Sequence, residues 1–355
     1  MCRCFIALAT ASVITAGVVS AQGTDPHPTL KVGTALARRG ELAYGAIVVP
    51  AGVDSGYSIP VAVAHGARPG PVLALVAGSH GTEYASILAL TQLIGRLDPK
   101  ALRGSVIVVP LVNLASFEQK VVHLNPTDRK NMNRFYPGNP SGTQTERASY
   151  LITQEVVERS DHLIDLHGGD LDESLRPYSY WTVTGSAAQD SVSKAMVLAF
   201  GLDHIIISTD RPKDPAASRY LENTATTRGK PSITVEAGYA GTVMPADVDA
   251  LLTGCLNVMG HLRMLDRPAR PVAQPVWFGK LVTVTSDSNG IFYPAVTRDQ
   301  QVAAGAKLGQ VTDYLGRRLF DVTAPEAGLV LYLNALPTIQ KGGTIASIGV
   351  SAKAP

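Results

Sequence analysis

Cysteines, charged residues and long apolar segments are all scarce in this chain. It has three cysteines in 355 residues, 17% charged residues and a formal net charge of only +2. So small a net charge, without a basic stripe, argues against nucleic acid as a partner. Apolar residues reach 45%, which argues against disorder and predicts a sizeable core, divided more naturally into two domains than one at this length.

The one pronounced apolar segment lies at the N-terminus and is short for a membrane span. Arg3 precedes the apolar residues 5–19, which end at a small-residue pattern typical of a signal-peptidase site. This predicts a signal peptide over residues 1–21, a mature chain that begins at Gln22, and export to the periplasm or the medium without later membrane association. A short membrane anchor is the alternative interpretation.

Removal of the signal peptide would leave a single cysteine. Cys2 and Cys4 fall in the removed segment, whereas Cys255 lies in an apolar helical pattern. A mature chain with one cysteine has no internal disulfide. We therefore expect the core to supply the stability, with Cys255 as a buried thiol and not a nucleophile.

Strand and helix patterns alternate through most of the chain. PVLALVAG and HLIDLHGG have the composition of buried strands, whereas YASILALTQLIGRL carries apolar residues at helical spacing. Alternation of this kind predicts a layered α/β domain over residues 22–265. The proline-rich RPARPVAQP predicts a linker over residues 266–275, and the short strand patterns and glycine turns that follow predict a small all-β domain over residues 276–355.

Polar side chains follow three of the predicted strands. GSHGTE presents His80 and Glu83, DLHGGD presents His167, and TVEAG presents Glu236. Two histidines and a glutamate are the ligand set of catalytic zinc, which keeps a fourth position for water. An H-x-x-E pattern alone arises by chance and a histidine at a strand end is usually structural, so the metal-site hypothesis depends on all three strand ends together.

Four motifs in this order, GSHGTE, KNMNRFYPG, DLHGGD and TVEAGYAG, resemble the succinylglutamate desuccinylase/aspartoacylase family of the zinc carboxypeptidase superfamily. The resemblance covers nearly the whole mature chain. It implies a zinc-carboxypeptidase-like mixed sheet flanked by helices, and a C-terminal β-domain, similar to a biotinyl/lipoyl sandwich, that covers and narrows the active site. The turn TDYLGRR has no lysine, which argues against a swinging-arm carrier.

The resemblance also implies roles for the residues at the strand ends. His80, Glu83 and His167 match the family's ligands to one zinc ion per chain, and Glu236 matches its catalytic glutamate. Zinc lowers the pKa of water and polarises the scissile carbonyl. A neighbouring carboxylate can take a proton from the water and deliver it to the leaving amine.

Substrate binding is implied for three further residues. Asn133 and Arg134 match the family's clamp for the substrate carboxylate, which the planar guanidinium suits. Arg228, upstream of the catalytic glutamate, is the third predicted substrate ligand. Asn131 stands where many family members carry an aspartate that supports a zinc-ligand histidine.

Several assignments stay open at this point. Arg129 and Lys130 are both candidates for stabilising the oxyanion, and either Tyr293 or Tyr314 could reach the substrate. Asp165 is interpreted as a strand residue and not a ligand. The other histidines are predicted to be structural or on the surface: His27, His65, His123, His162, His204 and His261.

These observations predict an exported zinc-dependent hydrolase that cleaves an amide bond next to a free carboxylate, as in an N-acyl amino acid. The alternative among enzymes is an exported metallocarboxypeptidase acting on peptides. The alternative from another class is an inactive zinc-containing binding protein, against which the intact Glu236 argues. The substrate is expected to be a small molecule that carries a carboxylate, and the sequence is compatible with a homo-oligomer. It does not identify the acyl group or the amine.

Overall fold

A computed structural model describes residue 1 and residues 27–209, 211–268 and 270–355. All but the first residue of the predicted signal peptide lies outside these ranges, so cleavage and export remain predictions. Among the described residues, no helix is both long and apolar enough to cross a membrane.

Strands and helices alternate in the first part of the chain. The strands are β1 Thr29–Val32, β2 Ala35–Arg38, β3 Glu41–Val49, β4 Tyr57–His65, β5 Arg68–Ala77, β6 Arg103–Val109, β7 His162–His167, β8 Glu173–Leu175, β9 Tyr178–Thr182, β10 His204–Ser208 and β11 Ser232–Glu236. The helices are α1 Tyr84–Ile94, α2 Leu114–Gln119, α3 Gln144–Ile152, α4 Ala187–Phe200, α5 Leu221–Thr226 and α6 Pro245–His261.

Only strands follow the linker. They are β12 Val276–Thr285, β13 Gly290–Pro294, β14 Gln301–Val302, β15 Lys307–Thr312, β16 Arg318–Thr323, β17 Gly328–Asn334, β18 Thr338–Ile339 and β19 Thr344–Ser351. The expected all-β character of this region is therefore present, while its likeness to a biotinyl/lipoyl sandwich and the exact domain boundaries remain predictions.

One mixed sheet of thirteen strands runs through the described structure. Its order is β14-β17-β19-β12-β10-β9-β11-β7-β5-β6-β4-β3, with β8 paired to β17. β7 runs parallel to β5 and β11, whereas β9 and β11 are antiparallel. The predicted mixed α/β sheet with flanking helices is confirmed.

The central strands are apolar on both faces because helices cover both. On β5, Leu73 and Leu75 belong to a core shared with α1, α4 and α6. The intervening Ala74 and Val76 face the opposite core, which includes residues of α3 and α5, as the alternation of side chains along a strand requires. Cys255 lies fully buried on α6 and burial raises the pKa of its thiol, so the prediction of a core cysteine is confirmed.

The strand β12 connects the two parts of the chain. Its first residues, Val276 to Phe278, pair in parallel with β10, and the rest of the strand pairs antiparallel with β19. The strands β16, β15, β13 and β18 form a separate four-stranded sheet. That sheet packs on the end of the large one through a core that includes Phe292, Val311 and Ile345.

A small apolar cluster lies where the C-terminal strands meet the α/β region. Its members come from β8, β9 and β10 on one side and β12 and β17 on the other: Leu175, Tyr178, Ile206, Phe278, Leu329, Leu331 and Tyr332. The pairing of β17 with β8 adds a second backbone connection between the two regions. The C-terminal strands are thereby fixed beside the carboxyl ends of the central strands.

Candidate active site

Three parallel strands end at one edge of the large sheet, where parallel α/β sheets place their ligands. His167 is the last residue of β7 and Glu236 the last of β11, and the two are paired across the strands. After β5, Gly78 takes a φ of +69°, and a Cβ there would lie 2.9 Å from the Cα of Leu111. This turn brings the following GSHGTE segment to the same edge.

Two imidazoles face one carboxylate at this edge. His80 Nδ1 lies 2.6 Å from Glu83 Oε1, and His167 Nδ1 lies 2.9 Å from Glu83 Oε2. The opposite nitrogen of His80 lies 3.0 Å from Asn131 Oδ1, the contact predicted for that asparagine. All three predicted metal ligands are buried, and their donor atoms lie within 4.8 Å of one another.

The charge of the group suits a cation. Burial by itself would raise the pKa of Glu83, but the adjacent His167 and His80 lower that pKa well below its ordinary range. The carboxylate is therefore held ionised between two imidazole nitrogens. An arrangement of two imidazoles and an ionised carboxylate can hold one metal ion.

Asp165 supports this group from the same strand as His167. It lies two residues earlier on β7, is 1% exposed, and places Oδ1 3.1 Å from His167 Nε2. The sequence alone predicts an ordinary strand residue at this position. Because residues i and i+2 of a strand share a face, the D-x-H spacing was the available signal for its place beside the histidine.

Glu236 lies beside the ligand group without belonging to it. Burial raises the pKa of its carboxyl well above the ordinary value, against the opposing effect of His167 and with the help of Glu83. A buried carboxyl group with a raised pKa is suited to exchanging protons during a reaction.

These residues line one cavity of about 1250 Å³. C-terminal strands form part of its wall, through Lys280 and Thr283 of β12 and Tyr332 and Asn334 of β17. The position of the C-terminal region agrees with the covering role that the family resemblance implied.

The predicted carboxylate clamp also lies in the cavity wall. Asn133 and Arg134 occupy a single helical turn, Met132–Arg134, anchored by the fully buried Met132. Asn133 Oδ1 accepts a hydrogen bond of 2.9 Å from the backbone nitrogen of Leu221 at the start of α5. The guanidinium of Arg134 lies 4.7 Å from the ring centre of Tyr220.

Arg228 lies elsewhere, which corrects the prediction that it binds substrate. It follows the far end of α5, where its Nε donates to Glu158 Oε1 at 2.7 Å and its Nη1 donates to the Thr224 carbonyl at 3.1 Å. The spacing of Arg228 from Glu236 in the sequence does not specify the direction in which the short helix α5 leads the chain. The second arginine that lines the cavity is Arg211, on the loop after β10 and 4.9 Å from the Tyr220 ring.

The other open candidates also lie outside the cavity wall. Lys130 Nζ is paired with Glu146 Oε2 at 2.8 Å, and Arg129 does not line the cavity. Tyr293 and Tyr314 are exposed on the C-terminal strands, at 47% and 74%. The positions of these side chains therefore support neither Arg129 nor Lys130 as the group that stabilises the oxyanion. They also support neither tyrosine as a residue that contacts the substrate.

His123 lines the cavity, which differs from the prediction of a structural or surface histidine. Its ring centre lies 5.3 Å from that of His80. Burial lowers its pKa, but hydrogen bonds with Asp170 and Asp172 outweigh this and raise the pKa to about 11. His123 is therefore a cation at neutral pH. It lies in a loop without a recognisable motif, so the sequence gives no indication that it lines the cavity.

Glu222 is a second carboxylate that the sequence did not single out. It lies in the first turn of α5, is 1% exposed and lines the cavity. Burial raises its pKa to about 7, against the opposing effect of Arg211. It sits in a six-residue helix without a strand-end motif, so no local sequence pattern indicates its position in the cavity.

Replacing Glu222 by glutamine should stabilise the ligand-free protein at pH 8 more than at pH 5. The carboxyl has a pKa of about 7 when folded and about 4.5 when unfolded. As the pH rises through this range, ionisation of Glu222 lowers the free energy of unfolding of the wild-type protein, because the buried carboxylate is less favourable than the solvated one. The change in the free energy of unfolding, variant minus wild type, should increase by about 2 kcal/mol between the two pH values. Urea unfolding at each pH measures it.

The matched control for this measurement is Glu158→Gln, which removes an exposed carboxylate outside the cavity. Its effect on the free energy of unfolding should not change with pH in this way. A pH-independent effect of Glu222→Gln would contradict the raised pKa.

Comparison with known proteins agrees with this geometry. A model of the succinylglutamate desuccinylase/aspartoacylase catalytic domain matches residues 69–262. N-alpha-acetyl-L-2,4-diaminobutyric acid deacetylase of Halomonas elongata is 26% identical over 314 residues, 87% of each chain.

Solved structures have the same fold. The product-bound ectoine utilization protein EutE (DoeB) of Ruegeria pomeroyi matches with a TM-score of 0.80 and 25% identity over 91% of this chain and 99% of its own. A succinylglutamate desuccinylase/aspartoacylase of Rhodobacter sphaeroides matches with a TM-score of 0.78 and 22% identity, covering 88% and 96%. The family model spans more than half of the chain and includes every strand-end motif described above. The chain belongs to the succinylglutamate desuccinylase/aspartoacylase family.

Proposed function

We propose that this protein is a zinc-dependent hydrolase that cleaves the amide bond of N-acyl amino acids next to a free carboxylate. The observation that carries the proposal is the placement of His80, Glu83 and His167 in one cavity with Glu236 and Arg134. Membership of a family whose named relatives are amide-bond deacylases supports the class of reaction.

The three ligand residues fit zinc in number, type and orientation. His80 and His167 both turn Nδ1 toward the Glu83 carboxylate, and two nitrogens with one carboxylate oxygen form the usual protein donor set of a catalytic zinc site. Asn131 and Asp165 contact the opposite ring nitrogens, as groups that orient metal-ligand histidines do. When bound, the ion would polarise the scissile carbonyl and lower the pKa of water.

Glu236 provides the proton transfers in this proposal. Its carboxylate takes a proton from the attacking water as the carbon–oxygen bond forms. It then delivers that proton to the nitrogen as the carbon–nitrogen bond breaks, so that a carboxylic acid and an amine leave the site. Burial beside the ligand group keeps the carboxyl pKa in a raised range, which suits both halves of this exchange.

Arg134 and Asn133 position the substrate. The guanidinium can pair in a bidentate manner with the free carboxylate of the amino acid, and stacking against Tyr220 restricts its orientation. The amide on the same carbon then faces Glu236. The C-terminal strands that flank the cavity favour a small acyl amino acid over a long peptide.

Replacing Arg134 by alanine should raise KM by about 10- to 100-fold, since hydrogen bonds between charged groups are worth about 1.5–3 kcal/mol. A smaller fall in kcat is expected, because a loosely held carboxylate leaves the amide misplaced. Steady-state kinetics on an N-acetyl amino acid measure both constants.

Arg228→Ala is the matched control, since this arginine pairs with Glu158 outside the cavity. It should leave KM near the wild-type value. The clamp assignment would be contradicted by an Arg134→Ala variant with unchanged KM, or by equal effects of the two substitutions.

The reaction itself is tested with zinc-loaded protein and a panel of N-acetyl and N-succinyl amino acids and dipeptides. N-acetyl-2,4-diaminobutyrate is included because the relative from Halomonas elongata is a deacetylase of that compound. Release of a primary amine from N-acyl amino acids, with slower cleavage of dipeptides, is the expected result. Cleavage of dipeptides alone would favour the carboxypeptidase alternative, and no cleavage of any member would reject the hydrolase proposal.

A further inference from the structure

The glycine-containing turns that follow β7 and β11 pack backbone against backbone. The nitrogen of Ala237 donates to the carbonyl of His167 at 3.4 Å. A Cβ on Gly169 would lie 2.5 Å from the carbonyl carbon of Gly238, and a Cβ on Gly238 would lie 2.2 Å from the nitrogen of Gly169. Only glycine fits at this contact, which joins the segment after His167 to the segment after Glu236.

The short strand β8 lies against the same contact. The nitrogen of Leu175 donates to the carbonyl of Gly238 at 3.3 Å, and the nitrogen of Ala240 donates to the carbonyl of Glu173 at 2.7 Å. Two strand ends of the proposed active site and one strand of the cavity rim therefore meet here through their main chains. We call these three segments the strand-end junction: residues 167–170, 173–175 and 236–241.

Arg298 reaches the strand-end junction from the C-terminal region, where it lies in the loop after β13. Its Nη1 donates to the carbonyl oxygens of Leu175 and Gly238, the latter at 3.1 Å. The guanidinium carbon lies 5.2 Å from the ring centre of Tyr239. One cation therefore ties β8 to the segment that begins two residues after Glu236. Hydrogen bonds from a charged donor are stronger than those between neutral backbone groups.

The backbone that carries Arg298 is itself fixed on β17. The nitrogen of Asp299 donates to the carbonyl of Val330 at 2.8 Å, and the nitrogen of Val330 donates to the carbonyl of Gln300 at 3.0 Å. The same strand contributes Tyr332 to the wall of the cavity. An arginine held at both ends in this way can fix the junction relative to that wall.

We infer that Arg298 is a positioning residue for the reaction: by holding the segment after Glu236, it keeps the Glu236 carboxylate in place beside the metal-ligand group. The inference rests on the proposed function, in which Glu236 exchanges protons with water and the leaving amine. Arg298 does not line the cavity, so it acts on the reaction through the junction and not by contact with the substrate. The C-terminal region thereby has a part in catalysis besides forming the cavity wall.

Replacing Arg298 by alanine should lower kcat by about 10- to 100-fold, the order of loss that a displacement of about 1 Å causes in a positioned group. KM should change little, because the substrate clamp at Arg134 is untouched, and zinc per chain should stay at the wild-type level. Arg298→Lys keeps the charge but not the planar fork of donors, so its loss of kcat should be smaller. Steady-state kinetics on an N-acetyl amino acid and metal analysis measure these quantities.

Asp299→Asn is the matched control. Asp299 is the next residue in the same loop and forms another charged contact between the two regions, with Arg176 Nε at 3.1 Å. Asparagine tolerates the φ of +68° at this position. The control should keep kcat near the wild-type value. Equal losses of kcat in Arg298→Ala and Asp299→Asn would reflect a general weakening of the contact between the regions and would overturn the inference.

Amide hydrogen exchange on the zinc-loaded full chain tests the junction without requiring turnover. Arg298→Ala should speed exchange in residues 173–175 and 236–241, whose amides donate across the junction, whereas Asp299→Asn should leave these segments as in the wild type. Unchanged exchange in Arg298→Ala would overturn the inference even if kcat falls. If Arg298→Ala does not fold, Arg298→Lys decides: wild-type kcat together with wild-type exchange in that variant would overturn the inference.

The two measurements together separate this inference from the proposed function. If the wild-type protein hydrolyses N-acyl amino acids and Arg298→Ala keeps its kcat, the hydrolase proposal stands and the positioning role is rejected. If the wild-type protein hydrolyses none of them while exchange still rises only in the Arg298 variants, the hydrolase proposal fails and the hold of Arg298 on the junction stands. A fall in kcat with faster exchange, absent from Asp299→Asn, supports both.

Discussion

Replacing Glu236 by glutamine should reduce kcat by about 10²- to 10⁴-fold, the usual contribution of a positioned acid–base group. Glutamine has nearly the same size and shape but cannot take up the proton of the attacking water. Because Glu236 lies beside the metal-ligand group and is not one of its members, the zinc content should stay at the wild-type level and KM should change little. Metal analysis and steady-state kinetics on the same preparation measure all three quantities.

The control for this experiment is Glu158→Gln, which removes a carboxylate from the surface. It should retain wild-type kcat. Near-normal turnover by Glu236→Gln would reject the acid–base role and would require another group in the cavity to take the proton. Loss of zinc together with activity would show instead that the carboxylate is a ligand.

Replacing His167 or His80 by alanine should remove the metal and the activity together. Each substitution deletes one of three buried donors. The loss in zinc affinity should exceed the roughly 10- to 100-fold that accompanies loss of a residue which only supports a ligand. Asn131→Ala, which removes such a support from His80, should fall within that smaller range. Zinc per chain and competition with a chelator measure the series.

His162→Ala is the matched control, because this histidine begins the same strand that His167 ends. It should keep about one zinc per chain. Full zinc occupancy and activity in both His80→Ala and His167→Ala would show that the metal is bound elsewhere.

The strand-end part of the site could be predicted from the sequence because its physical signal is local. A buried parallel strand is an apolar run, and a polar residue directly after it must lie at the edge where ligands bind. His80, Glu83, His167 and Glu236 all follow such runs, and the structure brings them together. The layered α/β architecture could be predicted as well, because strand patterns and helix patterns alternate along the sequence.

The rest of the cavity depends on contacts that no local pattern encodes. Glu222, Arg211 and His123 lie in a short helix and in loops, whose course is set by packing against distant strands. For the same reason the sequence spacing of Arg228 predicts a substrate ligand, whereas α5 leads the chain away and Arg228 pairs with Glu158. Asp165 is the exception, since strand alternation would have placed it beside His167.

The linker was recognisable from its prolines, but its composition does not reveal which strands pair across it. β12 belongs to both halves of the chain: it takes backbone hydrogen bonds from β10 at one end and from β19 along the rest. A second connection joins β17 to β8. Pairing partners so distant in sequence are determined by the assembled sheet and not by local preference.

This shared strand means that the wall of the cavity is not a detachable lid. A chain cut at residue 265 would leave β10 as an open edge and uncover the apolar side chains of Tyr178 and Ile206, the combination that promotes association between chains. In the proposed function, substrates would therefore reach the site past a wall whose strands are joined to the α/β region by main-chain hydrogen bonds. In evolution, exchange of the C-terminal region for another module would require rebuilding the edge of the α/β sheet as well.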